Sequence, residues 1–281
     1  MHVASRTVAC VVFVLSLSVS TAEAEITSKN LGSIWFIGDS ITQSNADGDS
    51  SGSPRKSLYD KLNAAGGYTF TYTGHRQDNR DGLPKDSSYT YHSGISGSVI
   101  GDNVPDTPRL GHTQNLSSFW NTGRLATVKP NVILIMLGTN DIYLPVDAPN
   151  APARLGAFID AIYALPGVGN PSVFVATIPP DRASAEITAR VAVFNAALPG
   201  VVDGLKAQGN DVTLVDHFTP LNDNFNTLMI LDALKLHPNG AGNNVIAQQW
   251  FDAIQARAVP EPTTGNLLGI AVLLGRRRRR A

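Results

Sequence analysis

Three short apolar runs constrain the fold more than any other feature of this chain. Ser33–Ile37, Val132–Leu137 and Ser172–Thr177 are five or six residues long, almost wholly apolar and bounded by turn residues. A run of that length without polar alternation is a strand covered on both faces. Tyr68–Thr73 and Val212–Val215 are weaker strands of the same kind. Helical patterns fall between them, at about 54–65, 113–128, 151–164, 183–208 and 240–257. In the last of these Asn239-Gly240 opens the segment, and Ile246, Trp250 and Ile254 recur every four residues, so Trp250 reads as core. Strands alternating with helices imply a parallel sheet clothed on both faces. The expected class is α/β, a three-layer α/β/α sandwich on a central, mainly five-stranded parallel sheet.

The ends belong to something else. Met1–Arg6 is weakly basic, Val8–Val19 is an uncharged apolar run of 12 residues, and Ala22-Glu23-Ala24 has the small-x-small pattern of a cleavage site. As a helix that run reaches only ~18 Å against a ~30 Å hydrocarbon core, so residues 1–24 read as a secretory signal peptide. Cys10, the only cysteine, lies inside it, which leaves the expected mature chain without a disulfide or a thiolate. At the other end Val259-Pro260-Glu261-Pro262 precedes a small and apolar stretch, Thr263–Gly275, and then Arg276–Arg280. Setting aside Arg6 and the five tail arginines leaves 16 of 22 cations, and setting aside Glu23 and Glu261 leaves 21 of 23 anions. The region 25–258 therefore carries about −5, with no basic patch suited to nucleic acid. Its 234 residues fit one α/β domain. Polar stretches at 43–54 and about 75–106 read as loops, and loops this long in a compact domain tend to be functional.

Four short motifs supply chemistry: Gly-Asp-Ser-Ile-Thr at 38–42, Ser-Gly-Ile-Ser-Gly at 93–97, Gly-Thr-Asn-Asp at 138–141 and His-Pro-Asn-Gly at 237–240. Ser40 and Asn140 each follow an apolar strand by a few residues, at the edge where ligands bind in open parallel sheets. A serine hydroxyl is a poor nucleophile until a base takes its proton, and His237 is the histidine in a suitable context. Asp39 and Asp141 read as braces for their turns, and His92 as the histidine best placed to line a substrate mouth. No His or Cys pair has metal-ligand spacing and no phosphate-binding glycine loop is present, so neither a metal nor an organic cofactor is expected.

In kind and order these motifs resemble those of the SGNH (GDSL-like) hydrolase superfamily, over about residues 33–257. The resemblance implies a flavodoxin-like sheet, Ser40 as nucleophile, His237 as base, and an oxyanion hole made by the N–H groups of Ser40 and Gly97 with the Asn140 amide. The chain departs from the family at the triad acid. An aspartate usually stands three residues before the histidine, where this chain has Leu234, and the nearest acid is Asp232, five before. Three arrangements are open: Asp232 reaching His237 through a bulged loop, a Ser–His dyad oriented by a backbone carbonyl, or another acid such as Asp216.

Within the superfamily, Thr73-Gly74, the run Tyr91–Ile100, Lys129-Pro130-Asn131 and Leu236–Gly240 are similar to those of acetylxylan-esterase-type carbohydrate esterases. The implied partner is an O-acylated, above all O-acetylated, carbohydrate. A lipase- or lysophospholipase-like esterase is the alternative, and a non-catalytic glycan-binding surface protein is the alternative of another class. The far end resembles the PEP-CTERM sorting tail, which implies an exosortase-type partner, transient membrane contact through residues 259–281, and an exported protein of the bacterial envelope or beyond.

Overall fold

The structure, a computed structural model, describes residues 29–43, 53–74, 76–77, 88–100, 129–145, 147–232 and 234–258. The expected signal peptide, the sorting tail, the helix at 113–128, His75, His112 and most of the 43–54 loop lie outside them. The strands are β1 (Asn30–Gly38), β2 (Thr69–Thr73), β3 (Arg76–Gln77), β4 (Tyr91–Gly94), β5 (Val132–Met136), β6 (Ser172–Ala176) and β7 (Val212–Val215). The helices are α1 (Ser40–Gln43), α2 (Pro54–Ala65), α3 (Thr139–Tyr143), α4 (Ala151–Ala164), α5 (Ala185–Ala207), α6 (Phe218–Asp223), α7 (Phe225–Leu228) and α8 (Gly240–Ala258).

The sheet order is β3-β4-β1-β5-β6-β7, with β2 also paired to β1. All pairings are parallel except β3 with β4. β2 runs beside the first part of β1, and β4 takes over beside Ile37 and Gly38. The five expected strands therefore form the parallel sheet. β3 and β4 arise inside the stretch that reads as a loop. Their residues are polar, and the buried ones are held by hydrogen bonds: the Trp35 indole N–H donates to Ser93 Oγ, and the Gly94 N–H donates to His92 Nδ1 at 3.0 Å. Apolar patterning carries no trace of strands satisfied in this way.

Period-two alternation divides the core into two layers. Trp35, Ile37, Ile133, Ile135, Val173 and Val175 face one side, against α4 and α5 residues such as Leu155, Ile159, Phe194 and Leu198. Ile34, Phe36, Val132, Leu134, Met136 and Phe174 face the other, against Leu58 and Leu62 of α2 and Ile246, Trp250 and Ile254 of α8. The two long helices on the second face each start from a side-chain cap: Ser53 Oγ accepts from the Lys56 N–H at 3.1 Å, and Asn239 Oδ1 from the Gly242 N–H at 3.0 Å. α5 is the one described helix long and apolar enough to cross a membrane, yet Val191, Phe194, Leu198, Val202 and Leu205 bury one face of it on the sheet.

His217 follows β7 and is completely buried, its ring edge-on to Trp250 at 4.4 Å and its Nδ1 3.4 Å from Met136 Sδ. Burial pushes its pKa down to about 3, against a smaller opposing pull from Asp216. The unfolded chain therefore takes up this proton first. The stability His217 contributes is complete above pH 6.5 and is lost as pH falls from there toward 3. The stability gap between wild type and His217→Gln should shrink by about 1.4 kcal/mol per pH unit below 6.5, read by urea denaturation at several pH values. A gap independent of pH between 7 and 4.5 would contradict a buried neutral imidazole.

Candidate active site

Ser40 is the first residue of α1, where β1 ends at the carboxyl edge of the sheet. Asp39 fixes that exit: it is buried, and its Oδ1 accepts from the Ile41 N–H at 3.0 Å. Burial pushes the Asp39 carboxyl up to about 6, opposed by that backbone bond and by Thr139. The nucleophile position is thus set by a turn that one carboxylate holds closed.

The second motif is laid directly on α1. A Cβ on Gly94 would sit 2.4 Å from the Gln43 N, so only glycine permits this approach. The Ile95 N–H donates to Gly38 O at 3.0 Å, and the Ser96 N–H to Gln43 Oε1 at 2.8 Å. The chain then reverses through Ile95–Ser98, closed by Ser98 N–H to Ile95 O at 3.1 Å, with Gly97 at φ 79°. That value suits the third position of a type II turn, which glycine fills without strain.

The third motif docks onto the second. The Asn140 amide donates to Ser98 O at 2.8 Å, which fixes its plane and leaves one Nδ2 hydrogen for another acceptor. Asp141, fully buried, accepts from the Ile100 N–H at 3.2 Å through both oxygens and pairs with Arg154 at 2.6 Å. Burial pushes its carboxyl up to about 6, against the lowering pull of Arg154 and the Ile100 N–H. Asp141 is a brace between motifs.

His237 arrives from the opposite side. A bridge between Met229 and Pro238 is tied by Ile230 N–H to His237 O at 2.8 Å and Asn239 N–H to Leu228 O at 2.9 Å. Asn239 also donates through its amide to Thr227 O at 2.9 Å while capping α8, so the histidine sits between two fixed points. Its Nε2 lies 2.9 Å from Ser40 Oγ, within reach of a direct proton transfer.

Residues far apart in sequence thus meet at one edge of the sheet. There the N–H of Ser40, at a helix start, and the N–H of Gly97 find no acceptor among the described residues. With the second Asn140 hydrogen they make a set of donors suited to an oxyanion. His92, by contrast, is completely buried and serves β4 internally, so it does not line an open mouth. Among the described residues no group of three His, Cys, Asp or Glu side chains could hold a metal.

The structure does not bring Asp232 to His237. Asp232 is exposed, and its Oδ1 accepts from the N–H groups of Leu234 and Lys235 at 3.0 and 2.7 Å. The two additional residues between acid and histidine take up the carboxylate in a local turn. Asp216 is likewise occupied, accepting at the start of α6 from the Thr219 N–H at 3.0 Å and from Thr177 Oγ1 at 3.2 Å. Burial raises its pKa, but the hydrogen bonds from Thr219, Thr177 and Phe218 outweigh it and hold the carboxylate below its usual range. Gln43 and Arg154 are supporting residues that motif reading passes over. Gln43 was within reach, three residues after Ser40 on the same short helix. Arg154 acts 13 residues from its partner and has no local signature.

The profile of the GDSL-like lipase/acylhydrolase family matches residues 36–245. No curated protein sequence matches the chain. Among solved structures, the chain is similar to a family 3 carbohydrate esterase from Clostridium thermocellum, at 26% identity and TM-score 0.60 over 82% of this chain and 100% of that one. It also shares its fold with a family 3 carbohydrate esterase from Talaromyces cellulolyticus (23%, TM-score 0.57, 80% and 97% covered). An acetylxylan esterase from Geobacillus stearothermophilus, a catalytic mutant, is similar in fold as well (18%, 0.54, 79% and 93%).

Asp232→Asn keeps an Oδ1 acceptor for the Leu234 and Lys235 N–H groups, so it should leave kcat within about tenfold of wild type, whereas losing a triad aspartate costs ~10⁴. A selective loss of two or more orders of magnitude in kcat, at unchanged melting temperature, would return Asp232 to the triad.

Proposed function

The chain belongs to the GDSL-like lipase/acylhydrolase family and is a carboxylic ester hydrolase; from that premise we propose that it is an exported serine esterase that removes small O-acyl groups, acetyl above all, from carbohydrate. The observation that carries this reading is the 2.9 Å contact between Ser40 Oγ and His237 Nε2. In the proposed reaction Ser40 Oγ attacks the ester carbonyl while its proton passes to His237. The carbonyl oxygen gains negative charge and is taken by the N–H groups of Ser40 and Gly97 and by the Asn140 amide. Removing one such donor costs ~10²–10³ in rate, because the charge exists only in the transition state.

Collapse of the tetrahedral intermediate breaks the bond to the alcohol, which leaves with the proton that His237 returns. Water then attacks the acyl-enzyme by the same route in reverse, with His237 again as base. Each step moves one proton across one short contact, so the reaction needs no cofactor.

The acetyl and carbohydrate preference draws on the likeness to the Clostridium thermocellum carbohydrate esterase and on the polar, glycine-rich sequence at 43–54 and about 75–106. With a graded series of 4-nitrophenyl esters, kcat/KM should fall from acetate to octanoate, and Ser40→Ala should abolish turnover at unchanged melting temperature. A steady rise toward octanoate would favour a lipid-ester enzyme. A Ser40→Ala protein retaining more than a few per cent of activity would remove the nucleophile assignment.

Export rests on residues 1–24 and envelope sorting on residues 259–281, the proposed substrate of an exosortase-type enzyme. α8 ends at Ala258 with its apolar face already buried by Ile246, Trp250 and Ile254, so the domain has no evident need of the tail. Truncation after Ala258 should leave melting temperature and turnover unchanged while moving the protein from the membrane fraction to the medium. A fall of several degrees in melting temperature would instead mean that the tail packs on the domain.

A further inference from the structure

The two backbone donors of the oxyanion hole belong to different segments, Ser40 to α1 and Gly97 to the turn Ile95–Ser98, and they must converge on one oxygen. Among the described residues, the hydrogen bond that joins α1 itself to that turn is the one from the Ser96 N–H to Gln43 Oε1, at 2.8 Å. Ile95 is tied to the end of β1 through Gly38 O, and Ser98 to α3 through Asn140. Gln43 is thus what fastens the residue before Gly97 to the helix that starts at Ser40. Its own backbone is fixed in turn. The Gln43 N–H donates to Asp39 O at 2.9 Å, closing the single turn of α1, and the preceding Thr42 O accepts from Arg55 Nε at 3.1 Å. The segments also meet backbone to backbone, since a Cβ on Gly94 would lie 2.4 Å from Gln43 N and 2.7 Å from Thr42 C. Gln43 is 4% exposed. A primary amide taken out of water costs free energy unless it is bonded, and the bond that this one makes is to the residue before the oxyanion donor.

We propose that Gln43 is a positioning residue for ester hydrolysis: through the Ser96 N–H it holds the Gly97 N–H at the spacing from the Ser40 N–H that the oxyanion requires. This rests on the proposed reading of Ser40 and Gly97 as oxyanion donors. Gln43 acts through Ser96 and not on the substrate. The charge that these donors take up exists only in the transition state, so the role belongs to kcat and leaves KM in place. A donor moved by about an ångström loses much of its value, which makes one buried amide matter for rate.

The test compares the full wild-type chain with Gln43→Met, which keeps the side-chain length and removes the acceptor, and with Gln43→Asn, whose amide stops one methylene short. Two quantities are read, kcat for 4-nitrophenyl acetate and Ki for trifluoroacetone. With the ketone, Ser40 Oγ adds to the carbonyl carbon, its proton passes to His237, and the carbonyl π pair becomes an oxyanion that stays bound, with no leaving group. Ki does not depend on the fraction of protein folded, so a loss of stability does not imitate the effect. In both variants kcat should fall about tenfold with KM within about threefold of wild type, and Ki should rise by the factor that kcat falls. A kcat within twofold of wild type in both variants overturns the proposal. So does a lower kcat at unchanged Ki, the mark of a merely structural loss. If the wild-type protein neither hydrolyses the ester nor binds the ketone, the esterase reading falls separately, and the tie is then judged by amide hydrogen exchange. Exchange about tenfold faster at Ser96 and Gly97 is expected in Gln43→Met, and unchanged exchange overturns the proposal.

Discussion

The Asp141 carboxylate holds the site together. From a fully buried position it accepts the Ile100 N–H and pairs with Arg154, and Arg154 in turn donates to Ile100 O at 3.2 Å and to Asp147. The segment leaving Gly97 is thereby clamped from both its donor and its acceptor groups to α3 and α4. Neighbouring Asn140 is bonded to Ser98 O, so one short helix fixes both the plane of a catalytic amide and the position of the turn it faces. Since an oxyanion donor displaced by an ångström loses much of its value, the strength of this clamp matters for rate as well as for stability. Removing Arg154 would strand a buried charge, a change that typically costs ~3–5 kcal/mol.

Buried acids at this edge work against the fold that holds them. Asp39 and Asp141 are pushed up to about 6 from 3.8, so each contributes most stability when protonated and loses it as pH rises through 6, on the order of 3 kcal/mol apiece. His217 runs the other way, losing stability as pH falls below 6.5. Asp181 joins the carboxylates: it is buried after β6, its Oδ1 takes the Ala183 N–H at 2.8 Å, and its other oxygen has no partner among the described residues. Burial, opposed by that N–H and by Arg190, pushes it up to about 6 as well. Such costs concentrate where position matters more than stability, and here the two carboxylates bordering Ser40 and Asn140 are each spent on holding a backbone turn.

The parallel sheet was legible because each central strand is buried on both faces and so reads as an unbroken apolar run. Val132–Met136 and Ser172–Ala176 need no context to be recognised. β4 was not legible, since His92, Ser93 and Gly94 are buried through hydrogen bonds and close backbone contact, which leave no hydrophobic pattern. The same distinction governs the site. Ser40 and Asn140 stand immediately after apolar strands, where topology alone puts chemistry. The Ser40–His237 meeting required only that the last motif return to the same edge. Arg154 could not be foreseen, because its role depends on how α4 packs beside α3 and on nothing in its own neighbourhood.

The loop before His237 shows how a small change in spacing redistributes roles. With an acid at five residues' distance, the carboxylate closes its own turn on Leu234 and Lys235 before it can reach the imidazole. Backbone ties hold the segment that carries His237: the Ile230 N–H on its carbonyl, the buried Pro238 after it, and Asn239 capping α8. A base held this way keeps its place at Ser40 without a charged partner at 232. The position three residues before His237 is freed from supporting the imidazole, and a leucine can occupy it facing solvent. An imidazolium formed during attack is stabilised by the developing oxyanion across the site, an attraction that strengthens as bound substrate excludes water.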